Sequence, residues 1–213
     1  MRVQANKVLE ELRRRIHDGV FKPAESLTEV SLAAEFGVSR NTLKKALLKL
    51  ESENLIVMQD NKQARVRCVS VDEAMQYLEL REVLECFIIR QSVPFLKDDD
   101  LEEMSGALAD MRSALDMDDF ARCSQSNVRF YDVVYRVCPN RPAVETVRLI
   151  KNQLTRYNIK TVLIPGRGRA SSEEHSRICD AIKKKDADMA ENLMHEHMVN
   201  MRNVLKENYQ LFT

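Results

Sequence analysis

The chain has 213 residues, 44% apolar and 31% charged, a balance that excludes both a disordered polymer and a membrane-embedded one and a length that suits two domains. Only five Gly and five Pro leave little room for a hairpin-rich all-β fold, so the composition favours helices. Formal charge is zero but unevenly divided: residues 1–70 hold 13 Lys/Arg against 9 Asp/Glu, the remainder 20 against 24, a basic head on an acidic body.

In chain order, Val8, Leu9, Leu12 and Ile16 recur at helical spacing and predict a first helix that ends near Asp18, with Gly19 as terminator. Phe21-Lys22-Pro23 reads as a turn. Thr28 is placed to cap a short helix carrying Val30, Leu32 and Ala33, closed by Gly37, and Ser39 to cap a second over Arg40 to Glu53. That second helix puts Leu43, Ala46, Leu47 and Leu50 on one stripe and leaves Asn41, Lys44, Lys45 and Lys49 off it. Leu55-Ile56-Val57-Met58 reads as a strand, Gln59 to Gln63 as a turn, and Ala64 to Cys68 as an alternating return strand. Helix, turn, helix and a two-stranded ribbon make a winged helix-turn-helix, and the domain boundary is expected near Ser70.

From Val71 onward the pattern is helical, in segments near 72–93, 98–115, 118–138, 141–164, 172–186 and 188–210, so the fold class is mainly α: a winged helix-turn-helix over 1–70 and an all-α bundle over 71–213. Pro94, Met117-Asp118, Pro139, Pro142 and Pro165-Gly166-Arg167-Gly168 mark the breaks. The five cysteines are odd in number and form no CxxC pair, which points to reduced thiols rather than a disulfide or zinc framework. No segment approaches eighteen uninterrupted apolar residues and the start lacks a secretory apolar core, so a cytoplasmic protein is expected.

The stretch Leu27 to Leu47, with Leu50-Glu51 and Asn54-Leu55-Ile56, resembles the GntR superfamily of bacterial regulators in its FCD branch, which includes repressors responsive to fatty and organic acids. The resemblance runs over nearly the whole chain. It implies a sequence-specific DNA-binding regulator, a repressor whose operator affinity is modulated by a small ligand in the C-terminal domain, and not an enzyme. A recognition helix entering a major groove roughly 12 Å wide needs short polar and cationic side chains in its first turns. Ser39, Arg40, Asn41, Thr42, Lys44 and Lys45 supply them, and Asn61 and Lys62 stand at the wing tip. By resemblance, Arg40 and Lys44 reach base edges, while Ser39 and Thr42 contact phosphate at the helix N-terminus. Lys44 stands where the family commonly has a second arginine, Lys45 where it often has an acid, and Asn61 where it often has glycine, so the operator is expected to differ from the family's usual one.

In the second half, Asn127 and Tyr131 interrupt an inward stripe of Phe120, Cys123, Phe130, Val134 and Cys138, while His175 and His197 share apolar stripes on two later helices. His195, two residues from His197, faces elsewhere and reads as surface. Many FCD domains bind a divalent metal through an Asp and a His four residues apart plus later histidines. His175 and His197 match the later pair, but Asn127 and Tyr131 replace the Asp and first His, and amide and phenol oxygens are poor zinc ligands. The expected effector is therefore an organic molecule, by the resemblance a carboxylate facing Arg81, held by hydrogen bonds from Arg81, Asn127, Tyr131, His175 and His197, with zinc absent or weakly bound; the alternative is that His175 and His197 are buried imidazoles satisfied by backbone or Tyr131. Arg81 interrupts an apolar helix face and needs an anion, either Glu85 four residues on or a ligand carboxylate. Reading a palindromic double-stranded operator implies a homodimer. The alternative is a helical metal-binding or protein-interaction module without ligand-controlled DNA binding. Enzymatic signatures such as a P-loop, Gly-x-Ser-x-Gly, His-Glu-x-x-His or paired Glu-x-x-His are not found.

Overall fold

The computed structural model describes residues 2–17, 19–59, 63–154, 157 and 161–211, and divides into two compact units, Met1–Ser70 and Val71–Thr213.

In the first unit the order is α1 (Arg2–His17), β1 (Ser26–Leu27), α2 (Glu29–Glu35), α3 (Arg40–Ser52), β2 (Ile56–Met58) and β3 (Ala64–Val66). Val8, Leu9 and Leu12 of α1 pack with Leu32, Leu43, Leu47, Leu50, Ile56 and Val66 in one core. An ion pair along its edge joins the packed helices: Arg13 donates from Nε and Nη2 to the two carboxylate oxygens of Glu53 at 3.1 and 2.9 Å. Gly37 has φ +60° between α2 and α3, a left-handed conformation that costs a Cβ-bearing residue, so the tight helix-to-helix turn depends on it. Thr28 lies at the N-cap of α2, although its hydroxyl makes no capping bond. The sheet is antiparallel in the order β1-β3-β2, with Leu27 and Met58 both paired to Ala64 and Ile56 to Val66. The sequence pattern predicts only the last two strands. β1 is two residues long, too short to show alternation, and exists because β3 offers it a free edge.

The second unit is helical: α4 (Val71–Ser92), α5 (Asp98–Asp116), α6 (Phe120–Val137), α7 (Arg141–Gln153), α8 (Arg167–Lys183) and α9 (Ala187–Glu207), with 3₁₀ turns at Val93–Phe95 and Tyr209–Leu211. Asp119, Asn140 and Asp186 cap α6, α7 and α9 by accepting from the backbone N–H three residues on. Two boundaries differ from the predicted ones. α7 stops at Gln153 rather than near 164, where the Leu154 N–H is shared between the Ile150 and Lys151 carbonyls. α8 begins at Arg167 rather than near 172, because Gly166 at φ +79° turns the chain directly into the helix. α4 packs on α9 and α7, and α5 on α6 and α8. The interior they enclose holds Ile88, Met104, Phe130, Val134, Val147, Ile178 and Met194 but also Arg81, Glu85, His175 and His197, all 2% exposed or less. Charged and ring-nitrogen groups are rarely buried so completely without a partner. Their partners define the site.

Candidate functional site

In the first unit α3 has two faces. Leu43, Ala46, Leu47 and Leu50 turn into the core, and Arg40, Asn41, Lys44, Lys45 and Lys49 are exposed. Ser39 caps the helix by accepting the Thr42 N–H at 3.2 Å. Thr42 is itself buried, its hydroxyl 2.9 Å from that of Ser39, so it braces the first turn instead of reaching outward as the sequence reading has it. Exposed cations thus project from the first turns of a firmly capped helix, next to its free N–H groups. The β2–β3 hairpin closes with the Gln59 N–H donating to the Gln63 carbonyl at 3.0 Å. Arg65 on β3 is exposed, a further wing cation that the sequence reading does not single out. Asn61 and Lys62, expected at the wing tip, lie outside the described residues.

In the second unit one cavity of about 60 Å³ is lined by Arg81 of α4, Asn127 and Tyr131 of α6, Arg167 and His175 of α8, and His197 of α9, among others. All five residues predicted to hold an effector meet there. Space of that size exceeds the ~30 Å³ share of one water, so a two-carbon carboxylate is within its scale.

The hydrogen bonds around the cavity fix its chemistry. His175 Nδ1 lies 2.6 Å from the Ser171 carbonyl, which can only accept, so Nδ1 carries the proton and Nε2 is left as an acceptor. Tyr131 donates its hydroxyl to that Nε2 at 3.1 Å. His197 likewise donates from Nδ1 to Glu174 at 2.6 Å, and its buried Nε2 has no hydrogen-bond partner among the described residues. Burial holds both imidazoles below the ordinary value of 6.5, most strongly His175, which keeps them neutral. Glu174 is anchored by a bidentate bond from Arg167 at 2.8 and 2.9 Å. Burial alone would raise its pKa, but hydrogen bonds from His197 and Arg167 prevail and hold it at about 2. The Asn127 side-chain oxygen is also buried and, among the described residues, without a hydrogen-bond partner.

Arg81 donates from Nε to Glu85 at 3.1 Å, so the anion it requires is supplied within α4. Burial opposes its charge, but Glu85 holds its pKa above the ordinary value. Tyr135 donates to the same Glu85 oxygen at 2.7 Å and accepts from Lys151 at 3.2 Å. Sequence reasoning missed Arg167, Glu174, Tyr135 and Lys151 as parts of this network. Lys151 had a visible signal: it follows Val144 and Val147 and precedes Leu154 at heptad spacing, on an otherwise apolar stripe.

These donors do not fit a divalent metal. The Tyr131 hydroxyl occupies the His175 lone pair that a metal would need, a neutral amide stands where a carboxylate is wanted, and Arg81 and Arg167 bring positive charge to the same walls. Among the described residues no group of three or more His, Cys, Asp or Glu is arranged to hold one.

The winged unit and the helical unit each have a counterpart among known proteins. A family model for bacterial regulatory proteins of the gntR family matches residues 4–66, and one for the FCD domain matches residues 76–200. The chain belongs to the GntR family, with an FCD domain. It is similar to the HTH-type transcriptional repressor RspR of Escherichia coli K12, at 22% identity over 95% of this chain and 90% of that protein. It is similar also to the gluconate operon transcriptional repressor of Bacillus subtilis, at 25% identity over 94% and 84%. Among solved structures, E. coli McbR/YncC superposes with a TM-score of 0.84 over 97% of this chain and 98% of that one at 21% identity, which establishes the shared fold. This GntR-family chain is thus a transcriptional regulator with a helix-turn-helix, and no helix among its described residues is long and apolar enough to cross a membrane.

Proposed function

We propose that this GntR-family regulator is a cytoplasmic, non-enzymatic repressor that binds a palindromic double-stranded operator as a homodimer and is controlled by a small organic carboxylate in the FCD cavity. Arg40, Asn41, Lys44 and Lys45 are the base- and phosphate-contacting set, with Ser39 holding the turn that presents them and the wing, including Lys62 and Asn61 by its sequence, flanking them. The carboxylate is met by Arg81 and the Asn127 amide N–H, and a hydroxyl on the same ligand donates to Asn127 Oδ1 or His197 Nε2, which as acceptors do not bond a carboxylate themselves; the Tyr131–His175 pair backs them, and no metal is required. The reading is carried by one observation: an exposed cationic helix start in one unit and, in the other, a cavity lined by Asn127 and His197, whose buried acceptors Oδ1 and Nε2 have no hydrogen-bond partner among the described residues. Buried polar atoms of that kind are costly unless a ligand or water meets them.

The homodimer has a candidate seam. Leu80, Val83 and Phe87 stand outward on α4 at i, i+3 and i+7, exposed by 49, 66 and 38%. A contiguous apolar stripe on a polar surface is the usual mark of a partner, and a palindrome supplies the reason for that partner to be a second copy. Names borne by relatives, the gluconate operon transcriptional repressor among them, support the repressor assignment.

The test is fluorescence anisotropy with DNA from the region upstream of the protein's own gene, titrated with salt and with a panel of small carboxylates and divalent metals. Specific, salt-sensitive binding that a carboxylate weakens and a chelator leaves intact is the expected result. Absence of specific binding at low salt ends the regulator reading; release by metals alone ends the metal-free one.

A further inference from the structure

We propose that Lys151, on α7 behind the cavity wall, is the charge-setting residue of the effector site: acting through Tyr131 and Tyr135, it supplies the positive charge that lets the cavity hold an anion. The proposal rests on the effector reading above and adds a residue that does not itself line the cavity.

The geometry is a relay. Lys151 Nζ lies 3.8 Å from the centroid of the Tyr131 ring and 5.0 Å from that of Tyr135. It donates to the Tyr135 hydroxyl at 3.2 Å, which donates to Glu85 at 2.7 Å, which accepts from Arg81 at 3.1 Å. Tyr131 and Arg81 are the cavity wall, and the Arg81 guanidinium carbon is itself 5.7 Å from the Tyr131 ring centroid. Glu85 is one carboxylate serving two cations, directly for Arg81 and through Tyr135 for Lys151. Among the described residues, Asp132 of α6 and Arg148 of α7 also act on Lys151, and they pair with each other at 2.7 Å and largely cancel. With its ammonium protonated, Lys151 gives the set Lys151, Arg81, Glu85, Asp132 and Arg148 one positive charge in excess, next to a cavity where an anion can neutralise it. Lys151 is partly exposed, so solvent screens part of that excess, and the remainder is felt across the thickness of a phenol ring.

Burial pulls Lys151 down to about 7, against the pull of Glu85 upward. The sign follows. Below about pH 7 the ammonium is charged and the cavity favours an anion; as pH rises through that value the charge is lost and anion affinity falls, levelling once the bound form has lost its proton as well. By linkage, a bound anion raises the Lys151 pKa by the corresponding amount. His175 and His197 titrate below 6.5 in the free protein, but a bound anion raises them as well, so the Lys151 variants rather than the pH window separate its contribution from theirs.

The experiment measures dissociation constants of the full chain for acetate and for its neutral analogue acetamide, by melting-shift titration at fixed ionic strength from about pH 6.5 to about pH 8.5. Acetate should weaken by up to about tenfold across the range, the equivalent of one unit of pKa linkage, and acetamide should not change. Lys151→Met should bind acetate weakly with a flat profile, and Lys151→Arg, charged throughout, should restore tight binding with a flat profile. Should either variant fail to fold, the wild-type Lys151 pKa measured by nitrogen NMR with and without saturating acetate decides, since the proposal requires it to rise. A Lys151→Met profile like the wild type, or a pKa unmoved by acetate, overturns the role given to Lys151 while leaving the effector site standing. Failure of acetate to bind at any pH removes both.

Discussion

Arg81 is charged, fully buried and answered by Glu85 one helical turn on, so its removal and its neutralisation are different experiments. Arg81→Ala takes away the cation that Glu85 bonds directly, leaving it the Tyr135 hydroxyl, and should cost about 3 kcal/mol, read from the urea midpoint. Arg81→Met combined with Glu85→Leu removes both charges, keeps the volume and should recover most of that loss, yet it should leave no carboxylate-induced melting shift. A double variant that still responds to carboxylate would remove Arg81 from the effector site. Glu174 makes the complementary case in pH. Its folded pKa of about 2 lies below the ordinary 4.5, so the stability it contributes is fully present above the ordinary value and is lost as pH falls from about 4.5 towards 2. Glu174→Gln should lower neutral-pH stability by about 2 kcal/mol and flatten that acid limb; an unchanged acid limb would show that Glu174 titrates normally. At this scale the sequence was partly readable. Glu85 as the partner of Arg81 follows from i,i+4 spacing, and the meeting of Asn127, Tyr131, His175 and His197 follows from their stripes. Arg167 and Glu174 did not show themselves, because one pairs seven residues away along α8 and the other reaches His197 on a different helix, and no local periodicity encodes either.

At the scale of elements, α3 separates holding from reading. Ser39 closes the first turn through the Thr42 N–H, and Lys44 stands exposed one turn further along. Ser39→Ala should therefore lower stability by about 1 kcal/mol in urea without altering how operator binding varies with salt. Lys44→Ala should do the reverse, lowering the slope of log K against log salt by about one counterion while the urea midpoint stays put. Equal salt slopes for Lys44→Ala and wild type would mean that Lys44 meets no DNA phosphate or base. The helices of the first unit were legible because capping residues, glycines and apolar stripes agree on the same boundaries. The errors came where one of those signals was silent. β1 has no pattern of its own, since two residues cannot alternate, and the start of α8 is set by a backbone conformation at Gly166 rather than by a side-chain cap.

For the whole molecule, pairing of two copies would use the outward stripe of α4. Val83 is 66% exposed and flanked by Leu80 and Phe87 on the same face, so within one chain a charged residue there meets solvent and should leave the melting temperature of the protomer nearly unchanged. In a two-fold pairing through that stripe, the same charge lies opposite its own copy and both are desolvated. Val83→Glu should then yield a monomer at micromolar concentration by light scattering. The consequence for DNA is larger than for the fold: two heads joined in a dimer engage the second half-site at high effective concentration, and separating them forfeits about 100-fold or more in affinity for the full operator. Binding to an isolated half-site should be unaffected, because α3 and the wing are untouched. A Val83→Glu protein that remains dimeric and keeps full-operator affinity would exclude this face of α4 as the seam and move the search to another apolar surface.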